Sequence, residues 1–290
     1  MKCIIHRRAQ FAASHRYWLP EWSEAENLAR FGCCSRFPGH GHNYTLYVSL
    51  EGDLDQYGMV QNLSDVKHAI RTAVINDLNF SYLNTAWPEF EQTLPTTENV
   101  ARVIWQRLAP HLPLVNIQLF EHPELWADYS GNAMEATLTI STHFSAAHRL
   151  ALDSLDFDQN VAIYGKCARP NGHGHNYHLE VSIAGEIDPR TGMIVDLVEF
   201  QKVVDDLIVE PMDHTFLNKD IPYFADVVPT AENIALYVAQ TLQGPLGALG
   251  VTLDRVKLIE SPNNSAEIFC RRGATIPTTA AAKEPALAGR

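Results

Sequence analysis

Two histidine triads have the residue types and the spacing of a metal site. Each triad combines one histidine with a His-Gly-His sequence that begins 25 positions later (40 − 15 and 173 − 148). In a β-strand the two histidines of His-x-His project from the same face, so they can share one ion with a third histidine on a neighbouring strand. Three imidazole nitrogens with an open fourth position describe a catalytic zinc site, although three histidines also suit other divalent metals. The members are His15, His40 and His42 in the first half of the chain and His148, His173 and His175 in the second half.

The two triads belong to a segment that occurs twice within the chain. Cys34 and Tyr44 recur as Cys167 and Tyr177, and both pairs are displaced by 133 positions (167 − 34 and 177 − 44). An equal displacement for every member means that the repeated unit is a domain. The predicted divisions are a domain at 1–131, a domain at 132–272 and a tail at 273–290, which is rich in Ala, Pro and Thr and is predicted to be disordered.

The second half adds residues that can move protons. Cys167 lies in a polar loop beside Lys166, and both this lysine and a nearby metal would favour the thiolate, the form that acts as a base or a nucleophile. A lone cysteine is more often a small buried hydrophobic residue. Asp213 and His214 form an acid–imidazole pair that could serve as a relay. Glu260 ends an apolar strand, where a carboxylate is either a frayed strand end or the anchor of a heterocycle that carries N–H groups.

The elements that must position these residues follow the order strand, strand, helix, helix, strand, strand in the second half, and the first half shows counterparts of the first five. Alternation with a period of two predicts the strands, and apolar residues at helical spacing predict the helices. The join lies near 129–133, where Ser-Gly-Asn is a turn signal. The predicted strands are 9–13, 44–50, 115–121, 135–143, 178–184, 253–260 and 266–269, and the predicted helices are 65–78, 96–108 and two segments that start at Asp196 and Thr230.

Composition limits the class of protein. The length of 290 residues suits two domains of ordinary size. A formal net charge of −12 argues against a nucleic-acid surface, which needs clustered Lys and Arg. The sequence contains no apolar stretch near the roughly 20 residues that span a bilayer. Five cysteines without a regular framework, and a start without a signal-peptide pattern, predict a cytoplasmic protein.

Together these motifs resemble the 6-pyruvoyl-tetrahydropterin synthase family, over about 134–269. The resemblance implies the T-fold, an α+β fold in which each domain has an antiparallel four-stranded sheet with a pair of helices on one face, and in which oligomers close into a barrel. The segments that carry it are Phe144-x3-His148, Cys167-x5-His173-Gly174-His175-Asn176-Tyr177, Asp213-His214-x2-Leu217-Asn218, Pro229-Thr230-x-Glu232-Asn233 and Glu260.

The resemblance also implies a reaction and its residues. The substrate would be 7,8-dihydroneopterin triphosphate, and the product 6-pyruvoyl-tetrahydropterin, with zinc as a Lewis acid on the histidines of the second half. A close relative, 6-carboxytetrahydropterin synthase of the queuosine pathway, usually has three residues between the cysteine and His-Gly-His, whereas this chain has five, Ala168 to Gly172. That spacing favours the pyruvoyl type. The implied roles are base for Cys167, proton relay for Asp213 and His214, pterin anchor for Glu260, and further substrate contacts for Thr230 and Glu232. The nearest candidates to bind the triphosphate are Lys166, Arg149 and Arg169, and the alternative for each of them is a solvated surface charge.

The first half keeps its triad and also Cys34 and Glu121, so it could form a second site. It lacks the dyad, because alignment puts Asn79-Phe80 where Asp213-His214 stand, and Asn62 replaces Asp196. We therefore expect a first domain that binds zinc but is weak in catalysis alone, unless a neighbouring domain supplies the dyad. The alternatives are another T-fold activity, such as a pterin or purine hydrolase, and a non-enzymatic pterin-binding or assembly role for the first domain. Three chains would supply the six T-fold units of the family hexamer, so a homotrimer is the expected assembly.

Overall fold

The two halves of the chain build the same succession of elements, and one sheet runs through both. The structure is a computed structural model that describes residues 2–271. The predicted tail at 273–290 lies outside the described residues. Across residues 2–271, no helix has both the length and the apolarity that crossing a membrane requires.

Ten strands and six principal helices make up the described chain. The strands are β1 Cys3–His15, β2 His40–Gly52, β3 Ser81–Tyr82, β4 Leu114–His122, β5 Leu125–Tyr129, β6 Glu135–His148, β7 His173–Glu186, β8 Thr215–Phe216, β9 Thr252–Ser261 and β10 Asn264–Phe269. The helices are α1 Glu24–Phe31, α2 Leu63–Ile70, α3 Thr97–Leu108, α4 Phe157–Tyr164, α5 Leu197–Val204 and α6 Ala231–Ala248. A π-helical turn and a last short turn extend α2 to Leu78 and α5 to Met212, and the short helices Leu83–Ala86 and Leu217–Asp220 follow β3 and β8.

The strand order is β10-β9-β7-β6-β5-β4-β2-β1-β3, with β8 paired to β6. Each half therefore contributes four antiparallel strands and one short parallel strand. Strand β5 pairs with β6, where Ala127 lies opposite Leu138, and this pairing joins the halves into one sheet. Helix α3 packs on β4 and β5, and α6 packs on β9 and β10. The predicted α+β fold of two tandem T-fold domains is confirmed, and the sheet stays open over residues 2–271.

Local sequence explains where the main elements begin. Thr96 and Thr230 are the N-caps of α3 and α6, and each hydroxyl accepts the backbone N–H of the third helical residue. The sequence prediction missed α1 and α4, although both begin with capping boxes, Ser23 with Glu26 and Asp156 with Gln159. It also made the first strand too short.

The extra length of β1 comes from its pairing with β2, which runs without interruption from Cys3 opposite Gly52 to His15 opposite His40. Large apolar side chains alternate inward along β2, where Leu46, Val48 and Leu50 are fully buried. Each such side chain contributes roughly 1.5–3 kcal/mol through burial. This register fixes where His15 ends relative to His40, so strand pairing positions the site.

Outside the sheet, a loop of the second half packs on the start of α3. The Thr96 hydroxyl donates to the Gly192 carbonyl, and the Ile194 N–H donates to Glu98 Oε1 at 3.2 Å. Arg30 pairs with Asp196 at 2.9 Å across the same boundary. Glu98 is only 3% exposed as a result, whereas its counterpart in the second half, Glu232, is exposed.

The buried Glu98 carboxyl should make stability depend on pH. Burial raises the pKa of Glu98 from 4.5 to about 7. Because the folded-state pKa is raised, the contribution of Glu98 to the free energy of unfolding is fully present below its unfolded-state pKa. This contribution is lost as the pH rises through about 7, where the buried carboxyl must ionise. We expect Glu98→Gln, which keeps the acceptor for Ile194, to raise the free energy of unfolding at pH 8 by on the order of 2 kcal/mol and to have little effect near pH 4.5.

Urea unfolding of Glu98→Gln at both pH values measures this effect. The matched control is Glu232→Gln, whose side chain is exposed, and it should leave the curves unchanged. An equal gain at pH 4.5 and pH 8 would contradict the role given to ionisation.

Candidate active site

The histidines of the second half converge at one end of the sheet. His148 is the last residue of β6 and lies opposite His173, the first residue of β7. Their Nε2 atoms are 3.1 Å apart. One ligand atom from each of these residues and from His175 lies within 4.8 Å of the others. The predicted metal triad of the second half is therefore brought together.

Fixed partners orient His148. Its Nδ1 is 2.8 Å from the Pro229 carbonyl, which can only accept, so Nδ1 carries the proton and the lone pair of Nε2 faces the other histidines. The Tyr177 hydroxyl lies 3.3 Å from the same Nδ1. Burial lowers the pKa of His148. The neutral imidazole that a metal requires is thus the favoured form.

The residues present fit a tetrahedral metal ion. Two nitrogens bound to zinc at about 2.0–2.1 Å are separated by roughly 3.3 Å, close to the observed distance between His148 and His173. His175 Nε2 is buried without a hydrogen-bond partner within the described chain. Gly174 permits this arrangement, because a Cβ there would meet the Ala146 carbonyl of the neighbouring strand at 3.1 Å.

Glu260 also lies close to the triad, and Cys167 lies in the turn that precedes His173 along the chain. Glu260 Oε1 is 3.6 Å from His175 Nε2 and 3.7 Å from His148 Nε2. Cys167 is half-buried in a 3₁₀ turn. Burial first, and then the negative charge of Glu260, raise the pKa of Tyr177.

The Asp213–His214 pair is formed but faces solvent. Asp213 Oδ2 is 2.7 Å from His214 Nδ1, and Oδ1 accepts the Ser145 N–H at 2.7 Å. The Ser145 N–H first, and then His214, lower the pKa of Asp213. The His214 side chain is 82% exposed. Across residues 2–271, no hydrogen bond joins this pair to the triad or to Cys167.

Asn79 and Phe80 occupy the corresponding place in the first half. Asn79 Oδ1 accepts the Ala12 N–H at 3.0 Å, and the Phe80 N–H donates to the Ala12 carbonyl at 2.6 Å, as His214 does to Ser145. Phe80 and His214 share a left-handed backbone, with φ values of 62° and 57°. The alignment is therefore correct, and an exposed phenylalanine replaces the histidine. In contrast, Asn62 and Asp196 are both helix N-caps, so that exchange preserves a structural role.

The first half assembles its own triad. His15 Nε2 and His40 Nε2 are 3.1 Å apart, and His15 Nδ1 lies 3.4 Å from the Pro95 carbonyl. Burial lowers the pKa of His15 to about 4. His42 joins these two residues, and Glu121 belongs to the same group of candidate ligands.

The cysteine of the first half has a different environment. Burial first, and then the neighbouring Cys33, raise the pKa of Cys34 to about 12. Cys33 stands where the second half has Lys166, so the neighbouring cation is replaced by a second thiol. Cys34 is therefore poorly suited to act as a thiolate base near neutral pH.

A cleft of about 400 Å³ is lined in part by Arg149, the residue after His148, and by Lys219 and Phe216. Arg149 Nε donates to the Ala168 carbonyl at 3.0 Å, which fixes the guanidinium at the rim. Lys166 and Arg169, the other predicted triphosphate contacts, are exposed and are not among the lining residues.

Sequence reasoning missed several residues that hold the sites. The carbonyls of Pro95 and Pro229 orient the first histidine of each triad, and the Pro-Thr sequence that precedes each helix was the available signal. Tyr17, which contacts Glu121, was missed because no motif marks it, and Thr97, the other contact of Glu121, lies in the Thr96-Thr97-Glu98-Asn99 segment that the first half keeps.

Comparisons with known proteins agree with the repeat. A sequence model of the family described as 6-pyruvoyl tetrahydropterin synthase matches residues 4–132 and again residues 137–270. The 6-pyruvoyl tetrahydrobiopterin synthase of Homo sapiens is 46% identical over 134 residues, which are 46% of this chain and 91% of the human protein. A putative 6-carboxy-5,6,7,8-tetrahydropterin synthase of Archaeoglobus fulgidus is 32% identical over 134 residues, 46% of this chain and 96% of that protein. The solved structure of the Caenorhabditis elegans 6-pyruvoyl tetrahydropterin synthase is 36% identical, with a TM-score of 0.44, and covers 47% of this chain and 95% of its own.

Proposed function

The chain belongs to the 6-pyruvoyl tetrahydropterin synthase family, and we propose that it is a pterin lyase whose second half carries the activity. The substrate would be 7,8-dihydroneopterin triphosphate, and the products 6-pyruvoyl-tetrahydropterin and triphosphate. The observation that supports this proposal is the asymmetry of the halves. Both have a histidine triad, but among the described residues an acid–imidazole pair occurs at the dyad position of the second half alone.

The residues of the second half have separate roles in this reaction. Cys167 would remove a carbon-bound proton from the substrate side chain, and triphosphate would leave by elimination. His214, held by Asp213, would return protons during the internal redox rearrangement that follows. A zinc ion held by His148, His173 and His175 would supply Lewis-acid polarisation of the side-chain oxygens.

Substrate contacts form the second part of the proposal. Glu260 and Glu232 are carboxylates that could accept the N–H groups of a pterin, and Thr230 caps the helix that carries Glu232. Arg149 and Lys219 at the rim of the cleft are suited to bind the triphosphate. The net charge of −12 makes such local cations necessary for an anionic substrate.

The exposed dyad suggests that an active site includes residues of more than one unit. His214 lies on the surface and makes no hydrogen bond to Cys167 among the described residues, so a neighbouring unit could present its cysteine to this histidine. Phe80 cannot transfer a proton, so a unit served by the first half would lack the relay. The dyad therefore limits activity to sites that include residue 214.

A second candidate is the 6-carboxytetrahydropterin synthase reaction, which the name of the Archaeoglobus fulgidus relative supports. It starts from the same substrate but releases acetaldehyde. The five residues between Cys167 and His173 favour the pyruvoyl reaction.

Incubation of zinc-loaded protein with 7,8-dihydroneopterin triphosphate tests the proposal. Mass analysis should identify 6-pyruvoyl-tetrahydropterin together with free triphosphate. A carboxy product with acetaldehyde would support the second candidate. Absence of turnover by a folded, zinc-loaded protein would reject both.

Replacement of the proton relay should reduce the rate without removing substrate binding. We expect His214→Phe, which copies the first half, to lower kcat by on the order of 10²-fold to 10³-fold, because general acid–base groups contribute factors of this size. The measurement is steady-state turnover, with KM expected within about threefold of the parent. The matched variant is Phe80→His, and a loss caused by Phe80→His as large as that of His214→Phe would contradict the assignment.

A further inference from the structure

The two histidine clusters differ in what lies beside them. In the first half a carboxylate of Glu121 joins the triad, and the ligand atoms of all four residues lie within 4.8 Å of one another. In the second half only the three histidines have ligand atoms that all lie within 4.8 Å of one another, among the described residues, and Glu260 does not belong to this group. Two sites that share a triad thus differ at the fourth ligand position.

Two hydroxyl groups fix the Glu121 carboxylate. Glu121 Oε2 accepts from Thr97 Oγ1 at 2.6 Å and from the Tyr17 hydroxyl at 3.4 Å. The other oxygen, Oε1, is directed at the triad, 3.3 Å from His42 Nε2 and 4.0 Å from His15 Nε2. The residue is 5% exposed, so a negative charge is held in a site with little access to water.

The histidine nitrogens and the carboxylate of this cluster lack the partner that a bound cation would provide. His42 Nε2 is buried and makes no hydrogen bond within the described chain, although the Glu121 oxygen is close to it. The nitrogens of His15 and His40 face each other at 3.1 Å. A buried carboxylate is costly unless it is paired or binds a metal. One ion at the centre would satisfy all four groups.

Apolar residues replace both hydroxyl donors in the second half. Leu150 follows His148 by two positions, as Tyr17 follows His15, and Ala231 follows the N-cap Thr230, as Thr97 follows Thr96. Glu260 therefore lacks the two groups that fix Glu121. Its side chain is 15% exposed and has Asn264 Nδ2 at 3.5 Å from Oε2.

We propose that Glu121 is a fourth metal ligand, so that the first half holds a closed structural metal site while the second half keeps an open, three-histidine site. Structural zinc sites use four protein ligands, and catalytic zinc sites use three and leave one position for water or substrate. The proposal assigns Tyr17 and Thr97 as the residues that position Glu121. It rests on the metal binding of the proposed function and not on its reaction.

Release of zinc to a chromogenic chelator tests the difference between the sites. Protein that contains two equivalents should lose one quickly and the other at least about 100-fold more slowly. The His40→Ala and His173→Ala variants identify the phases. His173→Ala leaves two ligands and should remove the fast phase, whereas His40→Ala leaves His15, His42 and Glu121 and should speed the slow phase. Glu121→Gln should bring the slow phase to the rate of the fast phase, and the matched Glu260→Gln should leave the slow phase unchanged.

The positioning residues give a finer test. Tyr17→Phe combined with Thr97→Val should speed the slow phase by about 10-fold to 100-fold, since the partners of metal ligands have effects of this size. Leu150→Tyr combined with Ala231→Thr installs the missing hydroxyls in the second half and should slow the fast phase.

Cobalt gives an independent readout that does not depend on release. In protein loaded with two equivalents of Co²⁺, azide should change the visible spectrum of the second site and leave that of the first site unchanged, until Glu121→Gln opens it. Two equivalents that leave at the same rate, or a slow phase unaffected by Glu121→Gln, would overturn the closed site while leaving the lyase proposal intact. A folded protein that binds no zinc would instead reject the metal binding on which both depend.

Discussion

Cys167→Ala should lower turnover of 7,8-dihydroneopterin triphosphate by at least about 10³-fold, because alanine removes the base and no neighbouring group replaces it. Cys167 lies in a 3₁₀ turn that also carries Lys166. The metal triad does not contain it, so zinc content should stay at the parent level. The variant therefore separates proton abstraction from metal binding. Turnover and zinc content are measured on the same preparation.

The matched control for this prediction is Cys34→Ala. Cys34 has the same place in the first half, but burial raises its pKa to about 12, and Cys33 replaces the neighbouring lysine. We expect turnover within about twofold of the parent. A loss with Cys34→Ala equal to that with Cys167→Ala would mean that the first half works as an enzyme too.

His173→Ala should remove one equivalent of metal and almost all turnover. His173 lies 3.1 Å from His148 at the point where the two strands end, and alanine leaves two histidines, too few for a stable site. Loss of the Lewis acid costs several kcal/mol of transition-state stabilisation, which corresponds to at least about 10³-fold in rate. Metal content by atomic emission and turnover by product formation are the two measurements.

His40→Ala is the corresponding change in the first half. It leaves His15, His42 and Glu121 as ligands, so the first half should release its metal faster than in the parent, but turnover should remain. The pair of variants thus assigns one equivalent to each half and activity to the second. If His40→Ala abolished turnover in a folded protein, the two halves could not be independent sites.

Much of the fold could be predicted from the sequence because the repeat fixes equivalent positions. His148, His173 and His175 meet as expected, since period-two geometry and strand pairing act on residues whose types were visible. The exchange of Asp213-His214 for Asn79-Phe80 could also be predicted from the alignment of the two halves. In the structure each pair keeps the same backbone contacts to the first strand of its half.

Other features depend on contacts that the sequence does not mark. The burial of Glu98 requires a loop from the other half, and nothing near residue 98 indicates that Ile194 will donate to it. The difference between Glu121 and Glu260 follows from Tyr17 and Thr97, which lie 104 and 24 positions away. Both carboxylates end equivalent strands, so local sequence makes them look alike.

The pairing of β5 with β6 also restricts the number of T-fold units that one closed barrel can contain. Because the two T-fold units of one chain share a continuous sheet, any barrel that closes by joining the free edge of β10 to the part of β1 that β3 does not cover takes in both units of every copy. The number of units around such a barrel is therefore even, whatever the number of chains. Three chains would therefore close as one ring of six units. Two stacked rings of three units each would require at least one chain to place its two units in different rings, which would break its β5–β6 pairing.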